Sequence, residues 1–183
     1  MNDEARWYAI YIRSRHEKQV HRAFLQRGVD SYLPLVDTIR QWADRKKKVS
    51  LPLFNSYVFV RINLRESLKV LTVDGVVRIV GSGSKPIPIP DEQIHAIRLI
   101  LNEDYKTEDI PFFKQGESVE ISAGPLRGLS GFLLRNSSKL RFVISVEMIG
   151  RSVAVEISPH ILRKGNRIYS QHTKNKALGN LSL

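Results

Sequence analysis

Arg45-Lys46-Lys47-Lys48 is followed, two residues later, by Leu51-Pro52-Leu53-Phe54-Asn55-Ser56-Tyr57-Val58-Phe59-Val60. Four adjacent cations cannot be buried unpaired, so they sit at a solvated tip or against a polyanion. The apolar stretch has the aromatic and β-branched content of a sheet strand, with an expected span of Phe54 to Ile62. Alternation would send Phe54, Ser56 and Val58 to one face and Asn55, Tyr57 and Phe59 to the other. Phe54 and Tyr57 therefore cannot project alike from a regular strand. A charged tip, an apolar patch and a core strand in one unit suggest a protein that grips nucleic acid and another protein together.

Outward from this junction, Trp7 to Ile12 reads as a first strand. Arg15 to Arg27 reads as a helix with Val20, Ala23 and Phe24 on one face, and Gly28 stands at its C-terminal cap. Asp30 to Val36 is expected to return as a strand that Pro34 confines to an edge or ends early. Thr38 to Ser50 reads as a hairpin or loop. Arg65 to Thr72 is expected as a short helix burying Leu68 and Leu71, with a turn at Asp74-Gly75 and a strand over Val76 to Val80. Gly81 to Ser84 is a loop, and the alternating Pro86, Pro88 and Pro90 force an extended segment. Asp91 and Glu92 open a helix that carries Ile94, Ile97 and Leu101. This order describes helices packed on a small, mostly antiparallel sheet over residues 1–102.

Residues 103–113 are polar and acidic, are broken by Pro111, and read as a linker. No helical period appears over 114–164. Short β-rich runs stand there instead, at Ser118–Ser122, Gly131–Arg135, Arg141–Met148 and Ser152–Ile157, with the spacing of a barrel of about five strands. Residues 165–183 are polar and aperiodic and read as a disordered tail. The expected fold class is α+β in two domains.

The chain has 183 residues and a net charge of +11, and its 42% hydrophobic content is enough to bury a core. Residues 1–105 hold 17 Lys and Arg against 12 Asp and Glu, and residues 106–183 hold 12 against 6. Charge spread over both halves favours a polyanionic partner. With no cysteine, disulfides, thiol catalysis and cysteine-ligated zinc are excluded. The polar N-terminus has no signal-peptide character, and no apolar run is long enough to cross a membrane, so a cytoplasmic location is expected.

Enzyme motifs fail on spacing. The histidines of His16-Glu17-Lys18-Gln19-Val20-His21 are five apart, whereas a zinc-protease helix needs them four apart. Gly81-Ser82-Gly83-Ser84-Lys85-Pro86 lacks both the third glycine of a dinucleotide loop and the P-loop spacing. No catalytic residue, metal site or cofactor is nominated.

Gly124-Pro125-Leu126-Arg127-Gly128-Leu129-Ser130-Gly131 packs turn residues into eight positions, with Leu126 and Leu129 expected at the surface between them. Together with Gly116 to Ile121, Gly150-Arg151 and Val153 to Ile157, it resembles the KOW module of the NusG family. Trp7-Tyr8 and Leu53 to Val60 are similar to that family's N-terminal (NGN) domain. Arg13 to Lys18, Tyr32 to Leu35 and Arg40 to Lys48 resemble its specialised UpxY-type paralogues.

The resemblance implies an NGN-type antiparallel sheet flanked by helices, followed by an SH3-like KOW β-barrel. It implies a monomeric, non-catalytic elongation and antitermination factor that binds the clamp helices of RNA polymerase and suppresses pausing or termination. The UpxY-type branch points to surface polysaccharide operons. Carried over by position, the polymerase contacts are Trp7, Tyr8, Phe54 and Tyr57, each of which also reads as a core residue. Arg45, Lys46, Lys47 and Lys48 would face DNA near the transcription bubble, or else form a solvated tip. Trp42 would stack on an unpaired base or pack on the sheet. Leu126, Leu129 and Ile149 would meet a small ribosomal subunit protein or Rho. Ile149 replaces an aromatic common in the family, and Asn55-Ser56 replaces a common Pro-Gly. The alternative reading is a KOW-type ribosome-associated RNA-binding protein.

Overall fold

The computed structural model describes residues 4–41, 45–102, 107–111, 117–136, 139–146, 149–157 and 159–164. The first half runs β1 (Arg6–Ile12), α1 (Glu17–Gln26), β2 (Asp30–Tyr32), β3 (Leu35–Gln41), β4 (Lys46–Pro52), β5 (Tyr57–Ile62), α2 (Ser67–Leu71), β6 (Val76–Ile79), β7 (Gly81–Ser82), β8 (Lys85–Pro86) and α3 (Asp91–Asn102). The second half is β9 (Thr107–Pro111), β10 (Glu117–Ile121), β11 (Ser130–Asn136), β12 (Lys139–Val146), β13 (Arg151–Glu156) and β14 (Leu162–Lys164). The expected Trp42 stacking, both ends of the expected linker (103–106 and 112–113) and the 165–183 tail lie outside the described residues.

The first sheet has the order β2-β5-β1-β6, and its neighbours pair antiparallel. Strand alternation divides its residues between two layers. Tyr8, Ile10, Ile12, Val58, Val60 and Ile62 pack with Val20 and Phe24 of α1 and Val70 of α2. Trp7, Ala9 and Phe59 turn the other way, into a cluster with Ile94, Ile97 and Ile100 of α3. The β3–β4 hairpin forms a separate two-stranded ribbon.

Several local expectations change. The aromatic strand begins at Tyr57, not Phe54, because the Tyr57 N–H donates to the Phe54 carbonyl at 3.3 Å and Ser56 takes φ 66°. The expected Asp30–Val36 strand is split at Leu33-Pro34, where proline has no N–H to give a ladder. The Pro34 carbonyl instead accepts the Leu53 N–H at 2.8 Å. In the short helix Val70 is fully buried, while Leu68 is 70% and Leu71 43% exposed. Roughly 100° separates successive helix residues, so Val70 inward turns both leucines outward.

The second sheet has six strands in the order β14-β10-β11-β12-β13-β9. Thr107–Pro111, expected as linker, is a strand pairing antiparallel with β13. Among the described residues this pairing runs from β14 to β9 as a six-stranded antiparallel sheet, one strand more than the expected barrel of about five, and closure of the sheet is not seen. Gly131 sits where β11 meets β12. A Cβ there would lie 2.5 Å from the Val143 carbonyl oxygen and 2.8 Å from the Phe142 ring. Gly131→Ala should therefore cost about 2–3 kcal/mol by overpacking. Urea unfolding checks this, and an unchanged midpoint would contradict it.

The halves share a core. The α3 cluster continues into Phe142 and Ile144 of β12, and α3 packs against that strand.

Candidate docking face and basic ribbon

Tyr57 opens β5 directly opposite Tyr11 of β1. Their ring centroids are 5.6 Å apart at 54°, and the Arg78 guanidinium lies 5.5 Å from the Tyr11 ring centre. Both tyrosines are half-buried, so each keeps part of its ring open. Aromatics of this kind supply contact area at little entropic cost.

The other expected contacts are placed differently. Phe54 is 1% exposed, with its ring edge-on to Phe59 at 5.9 Å. Trp7 is buried, and the Arg98 guanidinium of α3 stands 5.0 Å from its ring centre and 4.7 Å from that of Tyr32. Burial pushes the Tyr32 phenol up to about 12, against the opposing pull of Arg98. Tyr8 is buried on the opposite face, where desolvation raises its phenol and Arg6 partly offsets the rise. Trp7, Phe54 and Tyr57 thus belong to one side of the sheet and Tyr8 to the other. Tyr11 was missed. Alternation along Trp7, Ala9 and Tyr11 would have placed it beside Tyr57.

Arg45 to Lys48 are all exposed, but Lys46, Lys47 and Lys48 lie on strand β4 and not at a loop tip. The register pairs Gln41 with Lys46, Ile39 with Lys48 and Asp37 with Ser50, which puts these residues on one face of the ribbon. Lys47 lies on the other, with Thr38, Val49 and Leu51. Lys48 Nζ is 2.9 Å from Asp37 Oδ2, and the Ser50 hydroxyl donates to the same carboxylate. The Ser50 hydroxyl and the Lys48 ammonium hold the Asp37 carboxyl below its ordinary range. Lys18 of α1 donates from Nζ to the Ser50 carbonyl at 2.6 Å and ties the ribbon's base to the helix. Ile39 is 71% exposed among these cations.

In the second half the Gly124–Gly131 turn is closed by the Gly128 N–H donating to Ile121 O at 2.8 Å, with Gly128 at φ 87°. The expectation of Leu126 and Leu129 at the surface changes: Leu126 is 1% exposed and Leu129 half-buried. Ile149 is buried as well. The turn faces α3 across a cleft of about 300 Å³ lined by His95, Ala96, Leu99, Arg127, Leu129 and Ile144. All three positions belong to or pack on the cluster that joins α3 to β12.

Among the described residues no group of three His, Asp or Glu side chains is placed to hold a metal ion, and no helix is long and apolar enough to cross a membrane.

Residues 5–98 match the family described as transcription termination factor nusG. The chain belongs to the NusG family. The transcription termination/antitermination protein NusG of Staphylococcus aureus (strain Mu50) is 30% identical over 168 residues, covering 83% of this chain and 91% of that protein. That of Borreliella burgdorferi is 24% identical over 172 residues, covering 82% of this chain and 94% of its own length. A solved structure titled "Domain interaction in Thermotoga maritima NusG" superposes with TM-score 0.54 at 24% identity, over 89% of this chain and 98% of that one. That superposition draws on residues of both halves.

Proposed function

We propose that this NusG-family chain is a non-catalytic elongation and antitermination factor that binds RNA polymerase and suppresses pausing or termination. The observation that carries the reading is the Tyr11–Tyr57 pair, partly open, on the same half of the chain as an exposed basic ribbon. The tyrosines take the polymerase, by resemblance at its clamp helices, and Arg45 to Lys48 take DNA near the transcription bubble. The six-stranded sheet serves as the KOW-type unit. Its candidate partners are a small ribosomal subunit protein or Rho. Leu126 and Ile149 are buried in the arrangement described, so that partner is reached only when the contact of α3 with β12 opens. The factor works as a cytoplasmic monomer. The UpxY-like segments support operon-specific action, with surface polysaccharide operons as the targets.

The test is transcription in vitro on a template with a pause site and a terminator. Adding the protein should shorten the pause or raise readthrough, and unchanged elongation contradicts the reading. The ribbon makes a second prediction. Lys46→Ala combined with Lys47→Ala should lower the salt slope of binding to a bubble-containing DNA scaffold by about one to two counterions. An unchanged slope would return these lysines to a merely solvated strand.

A further inference from the structure

We propose that Glu17 is a positioning residue for the docking tyrosines, acting through the turn at Ser56. The proposal rests on the docking reading above and names the device that would orient that face. Among the described residues, the non-glycine residues with positive φ are Arg15 at 67° and Ser56 at 66°. This left-handed region is disfavoured for any residue with a Cβ and open to glycine. Ser56 thus keeps a conformation suited to glycine.

Ser56 is held at both ends. Its N–H donates to Glu17 Oε1 at 2.9 Å, and its carbonyl accepts the Ile12 N–H at 3.0 Å. Glu17 lies in the first turn of α1 and is 6% exposed, in the layer of Val20 and Phe24. Burying a carboxylate is costly, so one aimed at a backbone N–H has a specific use. The bond joins the start of α1 to the start of β5, and Tyr57 is the next residue. With Ser56 fixed, Tyr57 leaves the turn in register with Tyr11, where the rings meet. Without the carboxylate the serine relaxes toward extended backbone, and the tyrosine pair loses its geometry.

The test uses the full chain and core RNA polymerase. Glu17→Ala should weaken polymerase affinity about tenfold, the scale of one charge-assisted hydrogen bond. Glu17→Gln, which keeps an acceptor oxygen, should stay within about threefold of wild type. Adding Ser56→Gly to Glu17→Ala should restore affinity to within about twofold, because glycine adopts this φ without a steric penalty. A general packing role for Glu17 would not be rescued by that glycine, so failure of the rescue overturns the proposal. The second readout needs no polymerase. In Glu17→Ala, NMR should show faster amide exchange at Ser56 and shifted ring resonances for Tyr57, and unchanged spectra overturn the proposal. If Tyr57→Ala weakens binding and Glu17→Ala does not, the positioning role fails and the docking face stands. If Tyr57→Ala binds normally, the docking face fails, and the spectra alone decide what Glu17 does.

Discussion

Phe54→Ala is expected to destabilise the protein by about 3–5 kcal/mol, the cost of emptying a buried phenylalanine site. The ring is 1% exposed and meets Phe59 edge-on, in the cluster that also holds Trp7 and the inner face of α3. Its loss leaves a cavity beneath the turn that leads into β5. Polymerase binding should fall as well, but as a consequence of the damaged fold. Denaturant unfolding followed by circular dichroism measures the effect. A midpoint equal to wild type would contradict this core role and return Phe54 to the contact that the family resemblance implies.

Tyr57→Ala should do the reverse. The residue is partly exposed at the edge of the core cluster, so stability should fall by less than for Phe54→Ala, while polymerase affinity should fall by about 30-fold or more, the range of an aromatic hot spot. Tyr11→Ala should act in the same direction. Because the rings are 5.6 Å apart, the double variant should lose less than the two single losses combined. Titration of labelled protein with polymerase gives all three affinities. A Tyr57→Ala variant that binds normally would remove this face from the account.

Local period made much of the fold legible. The β-branched run from Val58 to Ile62, the helical spacing of Ile94 and Ile97, and the Gly75 turn at φ 90° all appear where the sequence puts them. The misreadings depend on what lies opposite. Alternation cannot show that the strand starts at Tyr57, because the turn before it is fixed by Glu17, 39 residues earlier in the chain. Period alone does not say which side of a five-residue helix faces inward, and Val70 took the place expected for Leu68 and Leu71. Thr107–Pro111 lacks a strand's composition and becomes one by pairing with β13. Leu126 looked like a surface anchor because α3 cannot be seen from its turn. At the site, the charge of Arg45 to Lys48 was plain, and its division between two ribbon faces needed the register. The family was legible from two motifs standing in order.

The central claim is that this chain docks on RNA polymerase through its aromatic corner. The direct test is binding of the wild-type protein and Tyr57→Ala to purified core RNA polymerase, with purified ribosomal subunits titrated in parallel. The account predicts saturable wild-type binding to polymerase that Tyr57→Ala loses by about 30-fold. Binding to ribosomal subunits with none to polymerase would contradict it.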